Sequence, residues 1–398
     1  MSIENAIQLI KQLHNHGYEA YIVGGFVRDK LLGRSLGDID IATSASPEEV
    51  QRIFNKTIPV GIVHGTVIVR WKKQSYEVTT FRSDGEYSDY RHPTEVHFHD
   101  SIEQDLARRD FTMNAMAQEI NGSILDPFGG KKDIEERLIR AVGVSAERFQ
   151  EDPLRMMRAI RFVSLLGFQI EERTKQALIE QAFLLEKVST ERIRDEFEKL
   201  LLGDYCQKAM QLLWKSNVYQ FFPGGSFNQL HECIEKDWSK LASIEERWAA
   251  TALCLKIEHV KPWLKAWKLP NQKLNHVITY INLVKTADDI RSDWNLYIYG
   301  WEAIEAVFRL RVFFGIVHTK EIDRHDLTDR YKRLPIHDRN DLAVNGNSLQ
   351  SMFQRKPGPW IGKVMSEIER NVVEGRLTNE LPAIKEWIQQ WDRRQENN

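Results

Sequence analysis

Up to residue 139 the chain reads as strands and short helices punctuated by glycine turns, and from residue 140 onward only helical spacing is found. Strands gathered at one end and helices after them predict an α+β chain. Its expected form is an N-terminal mixed-sheet domain followed by an all-helical remainder. Within the first part, Ser2 is placed to cap a helix with Ile3, Ile7, Ile10 and Leu13 on one face. Residues 19–23 read as a strand that runs into Gly24-Gly25. Ser46-Pro47-Glu48-Glu49 is a capping box with proline at the first helical position. Residues 64–70 and 76–81 are strand-like and joined by a polar Lys72-Lys73-Gln74 turn, and Asn121-Gly122 marks a hairpin.

At 398 residues the chain is too long for one small core, and 42% apolar with 28% charged residues is ordinary for a globular protein. A formal net charge of −2 excludes a coat of positive charge but leaves room for a local basic groove. The cysteines Cys206, Cys233 and Cys254 lack metal-ligand spacing and are too few for a disulfide framework. Reduced thiols in a cytoplasmic protein are the expectation. Neither a signal peptide nor a membrane-spanning segment is expected from the N-terminal residues or from any apolar run.

The chemistry concentrates in a few short stretches. Gly24-Gly25-Phe26-Val27-Arg28-Asp29 is followed by Gly37-Asp38-Ile39-Asp40-Ile41-Ala42. On a strand Asp38 and Asp40 share one face while Ile39 and Ile41 turn to the core. Two carboxylates aimed at one point repel each other. A divalent cation compensates, and Mg²⁺ suits them because it takes hard oxygen ligands and keeps positions for phosphates. Gly25 lets a triphosphate approach the backbone, and Arg28 one turn later can hold it. The plain alternative is a solvated edge strand. Glu77 fits equally a third metal carboxylate and a half-exposed strand residue.

The polar stretch 83–93 reads as a surface loop or as a mobile element that adjusts the site. In Arg108-Arg109-Asp110-Phe111-Thr112-Met113-Asn114-Ala115, the aspartate is a good N-cap and adjacent arginines are commonly solvated. Glu151-Asp152-Pro153-Leu154-Arg155 opens a helix that carries Arg158 and Arg161 and closes at Gly167. Asp152 and Arg155 are spaced to reach each other, which on residue types alone describes a capping aspartate with a surface ion pair. Residues 190–197 begin another amphipathic helix, closed by Gly203. Trp214, Trp248, Trp263, Trp267, Trp294 and Trp301 are irregularly spaced, as core residues are.

Over about the first half of the chain these motifs, in this order, resemble the class II tRNA nucleotidyltransferases, the CCA-adding enzymes of the polymerase β superfamily. The resemblance implies a polymerase-β-like catalytic head over 1–139, a nucleotide-selecting neck over 140–203, a helical body over 204–295 and a tRNA-binding tail over 296–398. It implies that Asp38 and Asp40 are the catalytic metal ligands, with Gly25 and Arg28 on the triphosphate and Arg109 on phosphate or ribose. In the family the 83–93 region is linked to the switch from adding C to adding A, and the helix at 190 braces the selecting helix.

Asp152 and Arg155 would select the base, with Arg158 and Arg161 supporting base or phosphates. The chemistry of that selection follows from hydrogen bonding. Cytosine and adenine each present an amino donor beside a ring-nitrogen acceptor, whereas uracil and guanine present the reverse. An aspartate only accepts and an arginine only donates, so the pair matches C and A and mismatches U and G. A good bidentate contact discriminates by about 1–3 kcal/mol.

The activity implied is template-independent, Mg²⁺-dependent addition of CMP and AMP from CTP and ATP to the 3′ end of tRNA, with the elbow of the tRNA meeting the tail. Two neighbours share the chemistry, an A-adding tRNA enzyme and a bacterial poly(A) polymerase. The latter usually ends in a strongly basic extension, where this chain has mixed-charge Trp391-Asp392-Arg393-Arg394-Gln395-Glu396. A non-catalytic RNA-binding protein on an inactivated head is the reading from another class, and the presence of both aspartates argues against it.

Overall fold

Ser2 accepts a hydrogen bond from the Asn5 amide and opens α1 (Ile3–Asn15), whose Ala6, Leu9, Ile10 and Leu13 are buried. From there the computed structural model describes residues 2–61, 65–85, 96–98, 101–225, 227, 229–286, 290–317 and 323–396. His64, read as part of a strand, and residues 86–93, read as part of a surface loop or a mobile element, lie outside the described residues.

A mixed seven-stranded sheet organises the first part of the chain, in the order Thr57–Gly61, Thr66–Trp71, Gln74–Thr80, Asp40–Thr43, Ala20–Val23, Ala117–Gln118, Ile124–Leu125. The central strands are β1 (Ala20–Val23), β2 (Asp40–Thr43), β4 (Thr66–Trp71) and β5 (Gln74–Thr80). β1 and β2 run antiparallel, and β2 and β5 run parallel, which sets Asp40 beside Glu77 and Ile41 beside Val78. Between β1 and β2 lies α2 (Gly25–Leu31), and α3 (Pro47–Ile53) begins at the capping box formed by Ser46 and Glu49. Strand alternation buries Val67, Val69, Tyr76 and Val78 on one side.

Two elements escape the sequence pattern. β3 (Thr57–Gly61) contains Pro59 and occupies the edge of the sheet, where a missing amide donor is tolerated. Flanking the stretch read as a surface loop or a mobile element, β6 (Arg82–Asp84) pairs antiparallel with β7 (Val96–Phe98). The Asn121-Gly122 hairpin is present as β8 (Ala117–Gln118) and β9 (Ile124–Leu125), with β8 also pairing with β1. Next to β7 is α4 (Ile102–Ala107), whose Ile102 and Leu106 pack with Val23, Ala42, Phe81 and Ala115.

Helices follow: α5 (Gly130–Glu135), α6 (Ser145–Glu151), α7 (Leu154–Leu166), α8 (Glu172–Gln181), α9 (Thr190–Leu201) and α10 (Cys206–Ser216). The short parallel pair β10 (Leu138–Ile139) and β11 (Gln169–Ile170) is the one strand pairing among them. α7 buries Met156, Met157, Ala159, Ile160 and Phe162, and α9 buries Ile193, Glu196, Phe197 and Leu200. Gly203 matters here for closeness rather than for ending a helix. A Cβ on it would sit 2.3 Å from Ser164 Oγ and 2.5 Å from the Ser164 carbonyl oxygen, so only glycine lets α7 and the end of α9 approach this far. Phe197 stacks on Trp267 with centroids 4.9 Å apart, and Trp248, Trp263 and Trp267 are buried, as their irregular spacing leads one to expect.

The chain divides into two compact units, residues 1–235 with 254–269, and residues 236–253 with 270–398. The first holds the sheet and α1–α10. The second is helical, with a core that includes Leu296, Ile304, Leu349, Ile368, Val372 and Ile384. Its longest helix, Asp293–Phe313, is kinked at Gly300, and Arg309 grips the fully buried carboxylate of Glu246 at 2.8 and 3.0 Å. No helix among the described residues is long and apolar enough to cross a membrane.

Candidate active site

The first unit contains a cavity of about 840 Å³ between the sheet and α7. Its wall carries nine basic side chains and four carboxylates. That balance makes a site for a polyanion, and the volume lies in the range of nucleotide-sized ligands.

Its floor begins at the end of β1, where Gly24 takes φ 73° and ψ −137°. A Cβ there would lie 3.1 Å from an Arg109 guanidinium nitrogen and 3.8 Å from Asp40 Oδ2. Any side chain at Gly24 is therefore both strained and in the way. The next glycine, Gly25, lines the cavity under looser constraint, since a Cβ would meet only an Arg28 nitrogen at 3.5 Å. Arg28 is buried and held through all three guanidinium nitrogens, with two N–H donors left over. Nε and Nη2 donate to Asp29 at 3.0 and 2.9 Å, Nη1 donates to Asn114 Oδ1 at 2.7 Å, and the guanidinium lies 5.1 Å over the Phe162 ring.

Asp40 opens β2 and faces the cavity, whereas Asp38 stands before the strand, exposed and outside the cavity wall. The expected alternation holds for the apolar partners, with Ile39 and Ile41 both 1% exposed. The carboxylate in register with Asp40 is Glu77, from the parallel neighbour β5. Asp40 meets solvent through the cavity but is hemmed in by protein elsewhere. This loss of water, followed by the negative charge of Glu77, lifts its pKa to about 6; Arg109 opposes the rise and Asp38 adds to it. A carboxylate pair left short of positive charge is what a hard cation completes. Two carboxylates suffice for Mg²⁺ when substrate phosphates fill other positions. No larger cluster of metal-ligating side chains occurs among the described residues.

Arg108, Arg109 and Arg158 of the wall are fixed by two acids, of which the sequence reading passed over Asp105 and gave Asp110 only a capping role. Asp105, 1% exposed, accepts from Arg108 at 2.6 Å and from Arg109 at 3.1 Å. Burial pushes its carboxyl up, but the two guanidinium charges outweigh it and hold the pKa below the usual range. Asp110 is not the N-cap that the sequence suggests, since Phe111 holds that position ahead of the short helix Thr112–Asn114; its carboxylate is used elsewhere. Oδ1 accepts from the Phe111 amide at 2.8 Å and Asn114 Nδ2 at 3.0 Å, while Oδ2 accepts from Arg158 at 2.8 and 2.6 Å. Burial again opposes, and the Arg158 charge prevails, so Asp110 stays ionised well below the ordinary carboxylate range.

Asp152 and Arg155 both line the cavity but do not bond each other through their side chains. Asp152 is extended (φ −142°, ψ 98°) at the end of α6, one residue before Pro153, so its carboxylate leaves at a different angle from a side chain within α7. Oδ1 caps the Leu154 amide at 3.1 Å and Oδ2 accepts from Arg192 of α9 at 2.9 Å. Arg155 donates to Glu151 at 2.9 Å and to the Arg108 carbonyl at 3.0 Å. Arg161 pairs with Glu196 of α9 at 3.0 Å and lies 4.4 Å over Phe162, so one ring underlies the guanidinium groups of Arg28, Arg158 and Arg161. Arg192 and Glu196 sit one turn apart on α9. Their i,i+4 spacing, like that of Asp105 with Arg109, was the available sign of a shared polar face.

A mixed sheet with carboxylates at one end, facing a helix of arginines across a basic cavity, defines a nucleotidyltransferase head joined to helices. Residues 20–140 match the model of the Poly A polymerase head domain, and residues 239–388 match that of tRNA nucleotidyltransferase domain 2. The CCA-adding enzyme of Geobacillus kaustophilus is 43% identical over 402 residues, covering 99% of this chain and 98% of that one. That of Geobacillus stearothermophilus is 44% identical over 406 residues, with the same coverage. The crystal structure of the Bacillus stearothermophilus CCA-adding enzyme in complex with CTP superposes with a TM-score of 0.92 at 41% identity, covering 100% of both chains. The chain belongs to the family of CCA-adding enzymes, and it is a nucleotidyltransferase.

Proposed function

We propose that this enzyme adds CMP and AMP from CTP and ATP to the 3′ end of tRNA, without a nucleic-acid template, to build or repair the terminal CCA. The observation that carries the reading is the cavity itself, in which Asp40 and Glu77 face Asp152 and Arg155 across a wall of arginines. The triphosphate lies against Gly24, Gly25 and Arg28, with Arg109 on phosphate or ribose. Arg28 is held on both sides by Asp29 and Asn114, so it meets the phosphates with little loss of side-chain freedom.

Asp40, with Glu77 in register and Asp38 nearby, would hold Mg²⁺. When bound there, the metal supplies a more acidic 3′-hydroxyl and neutralises charge at the α-phosphate. At the other end Asp152 accepts from the amino group of cytosine or adenine and Arg155 donates to the adjacent ring nitrogen. Asp152 is held by Arg192 and Arg155 by Glu151 and the Arg108 carbonyl, so both present themselves to a base from fixed positions. Arg158 and Arg161, tied to Asp110 and Glu196, support the base or the phosphates.

In this reading the chain works as a head (1–139), a neck (140–203), a body (204–295) and a tail (296–398) that meets the tRNA elbow, in the cytoplasm. The test supplies tRNA ending at the discriminator base, at C or at CC, with each nucleoside triphosphate separately. Successive addition of C, C and A supports the proposal. Growth only on the CC-ended substrate with ATP replaces it with an A-adding enzyme, and long A tracts replace it with a poly(A) polymerase.

A further inference from the structure

The sheet face that carries Asp40 continues beyond the cavity. Ile68 is the cross-strand partner of Glu77, and Arg70 that of Ser75, so Arg70 stands one row beyond the carboxylates on the same side of the sheet. On the other flank, Ile58 of the edge strand pairs with Ile68, and the Lys56 carbonyl accepts from the Arg70 amide at 2.8 Å, which brings Lys56 beside Arg70. Ile58 is 42% exposed, and Lys56 and Arg70 are exposed. The face thus runs from the acidic end of the site onto an open shelf, apolar in the middle and basic at its far rim.

The rim ends in an unusual turn. Trp71 pairs with Gln74, so Lys72 and Lys73 alone connect β4 to β5, and both take positive φ, 47° and 67°. A two-residue hairpin of this kind favours Asn-Gly, whose residues adopt the left-handed region at little cost. Two lysines there are strained, and they hold two exposed cations at the tip. Among the described residues no carboxylate forms an ion pair with Lys56, Arg70, Lys72 or Lys73. In a chain with a net charge of −2, four such cations gathered along one end of the catalytic sheet face make a local positive field.

We propose that this shelf binds the phosphate backbone of the RNA strand whose 3′ end reaches Asp40. Charge complementarity selects a polyanion, and continuity with the carboxylate face selects the strand being extended over the nucleoside triphosphate, which the cavity already accommodates. The inference rests on the reading given under Proposed function.

The test is the double variant K72N/K73G, which installs the favoured turn and removes both charges, so the fold is kept or made firmer. Its KM for tRNA ending in CC should rise about fivefold to tenfold at physiological salt, with the KM for ATP unchanged. The plot of log binding constant against log salt should become shallower by about 0.7–0.9 for each lysine that contacts phosphate. A second double variant, K56S/R70S, should act in the same direction. Unchanged tRNA KM and salt slope in both variants overturn the shelf while the parent enzyme still extends tRNA. If the parent extends no tRNA at all, the functional reading falls and the shelf with it. A concentration-dependent dimer of the parent that K72N/K73G abolishes would give the surface to a second copy of the chain and also overturn the proposal.

Discussion

The two sides of the cavity are built on opposite electrostatic plans. On the helical side each arginine is matched: Arg155 by Glu151, Arg158 by Asp110, and Arg161 by Glu196. On the sheet side Asp40 stands beside Glu77 and near Asp38, and its pKa is displaced upward to about 6 by lost hydration and by those neighbours. Paired charges stay where they are put, because moving one uncovers the other in a poorly solvated place. The helical side is therefore a fixed surface, against which, on the reading proposed above, a base is measured. The sheet side holds carboxylates short of positive charge, a state that a cation would relieve on the reading proposed above.

The strongest way to break this contrast is Asp40→Ala. Losing several kcal/mol of charge stabilisation should cut nucleotide transfer by roughly a thousandfold or more. Thermal unfolding should show the same or a slightly higher melting temperature, since a repelled carboxylate has been removed. Substantial turnover would move the metal site elsewhere.

The matching test on the helical side is Asp110→Asn, which leaves Arg158 unmatched and should cost about 2–4 kcal/mol of stability at pH 7 by denaturant unfolding. Asp110 has its folded pKa held low, so its contribution is present above the unfolded value of about 4 and is lost as pH falls below it toward the folded value. The gap between parent and variant should accordingly narrow with acidification from pH about 4 downward. A constant gap would mean that Asp110 acts through packing rather than charge.

Selectivity sharpens the comparison further. Asp152→Ala or Arg155→Ala should shrink the preference for CTP and ATP over UTP and GTP by about tenfold to a hundredfold, measured as ratios of kcat/KM. If both variants reject UTP as firmly as the parent, the base is chosen elsewhere.

The smallest of these effects is expected from Glu77→Gln, which keeps shape but weakens the donor set. About a tenfold higher Mg²⁺ requirement, with the KM for ATP little changed, would place Glu77 at the metal. An unaltered metal titration would make it a bystander.

Much of the cavity's lining was legible in the sequence. The Gly24-Gly25 turn, Asp40, Arg28 and the arginine series on α7 all belong to short local patterns, and they line one cavity. What escaped were the fixing partners. Asp105 lies one turn before Arg108 and Arg109, a local spacing that the reading overlooked, whereas Arg192 and Glu196 come from α9, 40 and 35 residues from Asp152 and Arg161. A carboxylate that anchors an arginine from another helix has no local signature. The edge strand β3 was hidden by Pro59, which argues against a strand everywhere except at an edge. Asp38 and Asp40 were placed together by strand alternation, yet the strand begins only at Asp40 and the neighbour in register is Glu77.

By itself, then, the order of residues determined the division into a sheet followed by helices, the chemistry of the motifs and the helix caps, because each depends on neighbours within a turn or a strand row. The tertiary structure alone decided which acid holds Arg158, Arg161 and Arg192 and which carboxylate stands beside Asp40. Those pairings are set by strand register and helix packing, where residues distant along the chain compete for the same partner and the winner depends on burial.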